Sequence, residues 1–256
     1  MSEAGLVPVE PAPRNEIAAV VLAGGFGTRI RHLLGDLPKP MISVAGRPFL
    51  EWVVLHLALQ GVRKVVLSTG YRAEAVERHF SRNSIDGVDV DWVREDRPMG
   101  TAGGFLHAIK KARFSGAVWI VANGDSLALA SLQHVMSRAL AKPASGVMLG
   151  VAVPDAARYG SLEVASDGTL MRFSEKRPGA GMINAGVYAF PHELLKEIPT
   201  TCPLSFETDV FPAWLKRGIP IDVVSCDAPF IDIGTEESLG LADNFIRDHA
   251  DWFQRD

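Results

Sequence analysis

The first residues able to do chemistry are Gly24-Gly25-Phe26-Gly27-Thr28-Arg29, which follow directly on the apolar run IAAVVLA at 17–23. Three glycines in four positions let a backbone approach a polyphosphate closely and turn its amides inward, and Arg29 adds a permanent charge. The loop lacks the Gly-Lys-Ser/Thr ending of a Walker A motif, and GGFGTR contains no GxGxxG. Taken alone, such a cluster equally suits a plain strand-to-helix turn. Ten residues beyond Arg29, Lys39 stands between Pro38 and Pro40. Prolines on both sides stiffen the chain and disfavour a helix, a sensible way to hold an ammonium toward a phosphate. An ordinary surface lysine in a proline loop reads the same way.

Acidic chemistry comes from two later stretches. Asn123-Gly124-Asp125 follows the apolar run AVWIVA at 117–122, and Asp232 lies in Phe230-Ile231-Asp232-Ile233-Gly234-Thr235. In open parallel sheets ligands bind at the carboxyl ends of the strands, so an acid after a buried strand sits in the functional crevice. A carboxylate beside phosphates is costly unless a hard cation lies between them, and Mg²⁺ typically takes one or two carboxylates together with phosphate oxygens. Either aspartate by itself could also be a helix N-cap.

Those groups need a scaffold, and the apolar periodicity supplies one. The runs at 17–23 and 117–122 suit strands buried on both faces, and 63–69 and 88–93 read as further strands. The segment 48–60 places Phe49, Trp52, Val53 and Leu57 on one helical face, and 72–80 and 102–112 also read as helices. This alternation predicts a parallel sheet with right-handed crossovers. From 146 onward strands dominate (146–153, 161–165, 169–175, 182–190 and near 220–224), with Asp167-Gly168 as a hairpin turn. Helices are expected near 191–197, 207–217 and 236–249. The reading is a flexible tail over 1–15 and a single α/β domain over 16–256, with a nucleotide-binding half to about 130 and a sugar-phosphate half from about 131.

Composition removes several function classes. The net charge is -4 with no basic block, which argues against a nucleic-acid partner. Cys202 and Cys226 have no CxxC context, so neither a zinc site nor a disulfide framework is indicated. The longest apolar stretch, 17–27, is too short to cross a bilayer and the first residues lack a secretory pattern, so no membrane association and a cytoplasmic location are expected.

In order along the chain, LAGGFGTRI, DLPKPM, GRPFLEW, PMGTAGG, NGD, RYG, EKRP, INAGVY, SFETDVFP and FIDIGT resemble the sugar-1-phosphate nucleotidyltransferase family, from about residue 19 to about residue 244. The resemblance implies a Rossmann-like nucleotidyltransferase fold, with a mostly parallel mixed sheet flanked by helices. It implies nucleotide contacts from Leu22, Ala23, Gly24, Gly25, Gly27, Thr28, Gly100, Thr101, Asn123 and Gly124. Arg29, Lys39 and Asp125 would be catalytic, and Asp125 and Asp232 would hold Mg²⁺. Tyr159, Gly160, Glu175, Lys176, Asn184 and Glu207 would line the sugar-phosphate side. Two departures stand out: Gly104, where alanine is commoner, should relax a helix start, and Phe206 replaces a frequent leucine.

The implied reaction joins a nucleotide monophosphate to a sugar 1-phosphate and releases pyrophosphate. The attacking phosphate monoester has a second pKa near ~6 and is mostly dianionic at neutral pH, so no general base is needed. The seven scattered histidines form no triad, and His32 reads as a solvated loop residue. Within the family the chain is nearest in texture to the branch that makes GDP-D-glycero-α-D-manno-heptose from GTP and the heptose 1-phosphate, for capsule, lipopolysaccharide or surface-layer glycans. Uridylyltransferases acting on N-acetylmuramate 1-phosphate and mannose-1-phosphate guanylyltransferases are its neighbours, and a homo-oligomer is compatible with all three. A non-catalytic nucleotide-sugar-binding regulator would have lost Arg29, Lys39, Asp125 or Asp232, and all four are present. A Rossmann dehydrogenase would require the missing GxGxxG.

Overall fold

The computed structural model describes residues 17–174 and 178–254, so the tail expected at 1–15 and the expected sugar-side residues Glu175 and Lys176 lie outside the described residues. The first strand, β1 (Ile17–Ala23), is apolar throughout and nearly all buried, as a strand covered on both faces must be. The chain continues through the helical turn α1 (Arg31–Leu34), the tiny hairpin β2 (Ser43–Val44) and β3 (Arg47–Pro48), and helix α2 (Phe49–Leu59). It then alternates β4 (Lys64–Thr69), α3 (Ala73–Phe80), β5 (Asp89–Arg94), α4 (Gly100–Lys111) and β6 (Val118–Asn123). These strands lie parallel in the order β5-β4-β1-β6. Side chains of β1 alternate between two cores: Ile17, Ala19 and Val21 enter one, Ala18 and Val20 the other.

Beyond β6 come β7 (Ser126–Ala128), α5 (Gln133–Ala141), β8 (Gly146–Val153), β9 (Ser161–Val164), β10 (Leu170–Ser174) and β11 (Gly181–Pro191). The chain ends with α6 (Phe211–Lys216), β12 (Ile221–Cys226), β13 (Phe230–Asp232) and α7 (Glu236–Asp248). β11 extends the sheet antiparallel to β6, β8 pairs antiparallel with β11, and β12 runs parallel outside β8. The β9–β10 hairpin joins near the start of β11 through Ile183 and Ser161. The result is one nine-stranded mixed sheet whose first half is parallel, the α/β architecture expected.

Three local features differ from expectation. Helix α5 was not anticipated; it buries Val135, Met136 and Ala139 on one face. The proline stretch around Lys39 does form a helical turn, but of the 3₁₀ kind over Lys39–Met41, where Pro40 in the first turn forfeits no hydrogen bond. The single helix expected over 207–217 is split into a π-helical turn, Phe206–Val210, capped by Ser205, and α6.

Candidate functional site

The carboxyl ends of β1 and β6 lie side by side, with Leu22 in register with Asn123 and the Gly124 amide donating to the Leu22 carbonyl at 2.9 Å. The strand order reverses here, between neighbours that lead in opposite directions, and the crevice at such a point is where open α/β sheets bind ligands. A cavity of about 350 Å³ opens over these ends, lined by Leu22, Gly24, Gly25, Gly27, Gly100, Thr101 and Asn123 among the expected nucleotide residues. Ala23 is buried in the sheet, Thr28 is exposed, and Gly124 packs against the Leu22 carbonyl, so these three do not line the cavity. Two glycines are sterically required. Gly27 has φ +58°, and a Cβ there would lie 2.9 Å from the Lys39 Cβ. Gly100 has φ +76°, with the Leu204 carbonyl oxygen 2.4 Å from where its Cβ would be.

A second cavity of about 360 Å³ adjoins the first, and Lys39, Asn123 and Asp125 line both. Arg29, Arg158, Tyr159, Asn184 and Asp232, with Ser126 and Thr235, complete its polar wall. The two aspartates converge because β7 and β13 pair antiparallel, with Asp232 opposite Ser126 and the Ile233 amide donating to the Asp125 carbonyl at 2.9 Å. Neither aspartate is a helix N-cap. Lys39, largely buried, donates from Nζ to Asp125 Oδ2 at 2.6 Å. Asp232 accepts the Gly234 amide on Oδ1 at 2.8 Å and the Tyr159 hydroxyl on Oδ2 at 2.6 Å. Burial, then the bond to Asp232, raises the Tyr159 hydroxyl far above the usual phenol range, so it remains a protonated donor. Arg29 has no hydrogen-bond or ion-pair partner among the described residues, which leaves its guanidinium available to an anion.

The donor set suits a hard cation. Both carboxylates present oxygen ligands, and the side chain already drawn to Asp125 is an ammonium. No group of three or more His, Cys, Asp or Glu side chains is gathered among the described residues, so a metal here would complete its coordination with phosphate oxygens and water, the habit of Mg²⁺.

Two expected sugar-side residues lie elsewhere. Gly160 is exposed beside Tyr159, and its carbonyl accepts the Asn184 amide at 3.2 Å. Glu207 lines neither cavity; it sits behind the cleft, bonded to Thr101, Ser205 and Tyr188.

Two further polar residues were not singled out from the sequence. Glu95, one residue beyond β5, faces the first cavity and accepts Ser68 Oγ at 3.0 Å and the Met99 amide at 3.1 Å. Burial raises its pKa above the usual carboxylate range, against those two bonds. Gly24 and Gly104 both press on it, since a Cβ on either would lie 2.7 or 2.6 Å from Glu95 Oε1. Gly104 therefore makes room for a carboxylate, a different role from the loosened helix start expected of it. That unusual glycine was the available clue. Arg158, inside the quoted RYG element, reaches Asp232 Oδ2 at 3.4 Å and Thr235 Oγ1 at 2.9 Å, tying the acid to the first turn of α7.

Known proteins share this arrangement of strands. A family model described as nucleotidyl transferase matches residues 18–249. Mannose-1-phosphate guanylyltransferase of Mycobacterium tuberculosis is 33% identical over 240 residues, which are 93% of this chain; the chain spans just under two thirds of that relative, 65%. D-glycero-alpha-D-manno-heptose 1-phosphate guanylyltransferase of Aneurinibacillus thermoaerophilus is 32% identical over 225 residues, 88% of this chain and 96% of that protein. HddC from Yersinia pseudotuberculosis, crystallised in complex with GMP-PN, superposes with a TM-score of 0.77 at 31% identity, covering 89% of this chain and 98% of that one. Among the described residues no helix is long and apolar enough to cross a membrane.

Proposed function

This chain belongs to the nucleotidyl transferase family, and on that premise we propose that it joins the nucleotidyl group of GTP to D-glycero-α-D-manno-heptose 1-phosphate, releasing pyrophosphate with the aid of Mg²⁺. The observation that carries the reading is the junction itself: Lys39, Asn123 and Asp125 belong at once to a glycine-walled cavity and to a cation- and hydroxyl-lined one. Two ligands lodged in those cavities would meet at Lys39 and Asp125.

The bond made is between a sugar-phosphate oxygen and the α-phosphorus, and the bond broken joins that phosphorus to the departing pyrophosphate. No net proton moves, so the obstacle is repulsion between anions. Arg29 and Lys39 supply fixed cations, the loop amides add donors, and the phosphates compete with Asp125 for the Lys39 ammonium. Held by Asp125 and Asp232, Mg²⁺ would neutralise phosphate charge at the junction. Tyr159, kept protonated, and Arg158 orient Asp232.

Glu95 supports guanine. Guanine presents two adjacent N–H donors on one edge, N1–H and the exocyclic amine, which a carboxylate can accept together; the other three bases interpose or flank with an acceptor. The heptose assignment is supported by the Aneurinibacillus relative. A second reading, mannose 1-phosphate as acceptor, is favoured by the Mycobacterium relative, which also transfers guanylyl by name.

Pyrophosphate release measured across four NTPs and a panel of the 1-phosphates of heptose, mannose, N-acetylmuramate and glucose tests this directly. GTP with the heptose phosphate should be fastest. A preference for mannose 1-phosphate would install the second reading, UTP with N-acetylmuramate 1-phosphate would overturn the guanine assignment, and no release from any pair would sink the activity.

A further inference from the structure

Behind the cleft, a chain of side-chain hydrogen bonds runs from one cavity to the other. Thr101, in the wall of the nucleotide cavity, donates from Oγ1 to Glu207 Oε2 at 2.9 Å. Glu207 Oε1 accepts the Tyr188 hydroxyl at 3.1 Å, and that hydroxyl accepts Asn184 Nδ2 at 2.8 Å. Asn184 lines the sugar-side cavity. Its amide oxygen accepts the Gly186 N–H at 2.9 Å, so turning the amide over would break two bonds at once. Among the described residues the other amide N–H of Asn184 meets no acceptor, which leaves it for a ligand.

The relay has a fixed direction. Tyr188 is fully buried among the rings of Phe190, Phe206 and Phe211, and burial together with Glu207 holds its hydroxyl well above the usual phenol range. It therefore always donates to the carboxylate and always accepts from Asn184. Glu207 takes a third donor, Ser205 Oγ at 2.8 Å, and meets no cation among the described residues. A carboxylate satisfied only by hydroxyls polarises them, and bonds in series inside a low-dielectric interior strengthen one another. Backbone geometry pins both ends: Phe206 N–H donates to Thr101 Oγ1 at 2.8 Å, and the pairing of β11 with β8 shifts register between Asn184 and Tyr188.

We propose that Glu207 and Tyr188 are positioning residues acting through Asn184: they set which donor the sugar-side cavity offers to a sugar hydroxyl. The proposal rests on reading the cleft as adjoining nucleotide and sugar-phosphate sites. It assigns Glu207 an indirect role in place of the direct acceptor contact expected of it.

Tyr188→Phe removes the hydroxyl and keeps the ring. The KM for the sugar 1-phosphate should rise roughly ten-fold, the loss of one well-placed hydrogen bond, with the KM for the nucleotide changed less than about two-fold. In an Asn184→Ala background the same substitution should add nothing further, because the relay would already be severed. Independent addition of the two effects, or equal rises in both KM values, overturns the proposal. A readout that needs no turnover is the side-chain amide of Asn184 in ¹⁵N NMR spectra: its solvent exchange should accelerate in Tyr188→Phe and in Glu207→Gln while core backbone amides stay protected. Unchanged exchange in both variants refutes the relay even if the wild type is inactive with every substrate pair, and the absence of turnover alone counts only against the functional reading. Glu207→Gln keeps the measurement decisive should Tyr188→Phe fail to fold.

Discussion

The two halves of the cleft are made by different means. The cavity read as the nucleotide site is shaped largely by backbone: glycines at 24, 25 and 27 follow β1 and Gly100 opens α4, and a Cβ at Gly27 or Gly100 would collide with Lys39 or with the Leu204 backbone. The sugar-side cavity is shaped by polar side chains held in place by one another, with Tyr159 and Arg158 on Asp232, Arg158 on Thr235, and Asn184 on Tyr188. Parallel strands all end on the same edge, so the segments that follow β1, β5 and β6 meet over a single crevice on the first side. Antiparallel and long-range pairings bring separate segments together on the second, and each segment contributes one or two groups. Backbone shape, with Glu95 as a polar group on the wall, therefore decides what enters the first cavity, and interlocked charges and hydrogen bonds decide what enters the second.

The largest expected effect abolishes that contrast, because it strikes the junction. Asp125→Asn removes both the Lys39 ion pair and a metal-binding oxygen, and should lower kcat by about two orders of magnitude, ~3 kcal/mol, with thermal unfolding nearly unchanged. Wild-type turnover at low Mg²⁺ would show that no metal is held there.

A sharper test is Glu95→Gln, confined to the nucleotide side. It should lower kcat/KM for GTP roughly ten-fold while leaving the sugar 1-phosphate KM within about two-fold, since a charged acceptor of two N–H donors is lost. Burial raises the pKa of Glu95, so the wild-type carboxylate gains a proton as pH falls, at a pH above the usual carboxylate midpoint, and stops accepting both guanine donors. GTP affinity should accordingly drop on the acid side in the wild type, and that limb should vanish in the variant. An identical acid limb in both proteins would detach Glu95 from base recognition.

The smallest effect belongs to the sugar side. Thr235 caps α7 by accepting the Ser238 amide and also anchors Arg158, so Thr235→Ala should cost about 1 kcal/mol of stability and raise the sugar 1-phosphate KM a few-fold. Calorimetry and initial rates would separate the two consequences. A change in nucleotide KM larger than that in sugar KM would erase the proposed division between the cavities.

The same division explains what could be read in advance. β1, β4 and β6 were recognisable because each is a short apolar run, and the glycine loop and Asn123-Gly124-Asp125 were recognisable because they follow such runs immediately. Helix α5 leaves little trace in the sequence because its buried residues, Val135, Met136 and Ala139, form a brief stripe within a strand-rich stretch. β7 and β13 have three residues each, too few for any period to show, yet their pairing is what sets Asp125 and Asp232 together. Glu95 and Arg158 carry no local mark of their placement, because it shows only through their partners, Ser68 and Met99 for Glu95 and Asp232 and Thr235 for Arg158.

From the residues in order came the chemical inventory: phosphate-adapted glycines, two cations, two acids, and the strands that carry most of them to one edge. Those features are local, since backbone freedom and the burial of a strand are encoded within a few neighbouring positions. Only the tertiary structure decided which groups face each other, that Lys39 lies on Asp125, that Glu95 stands at the nucleotide wall, and that Glu207 works from behind. Such relations join positions up to about a hundred residues apart, and pairing over that span is selected by the packing of the whole sheet, which no short window of residues contains.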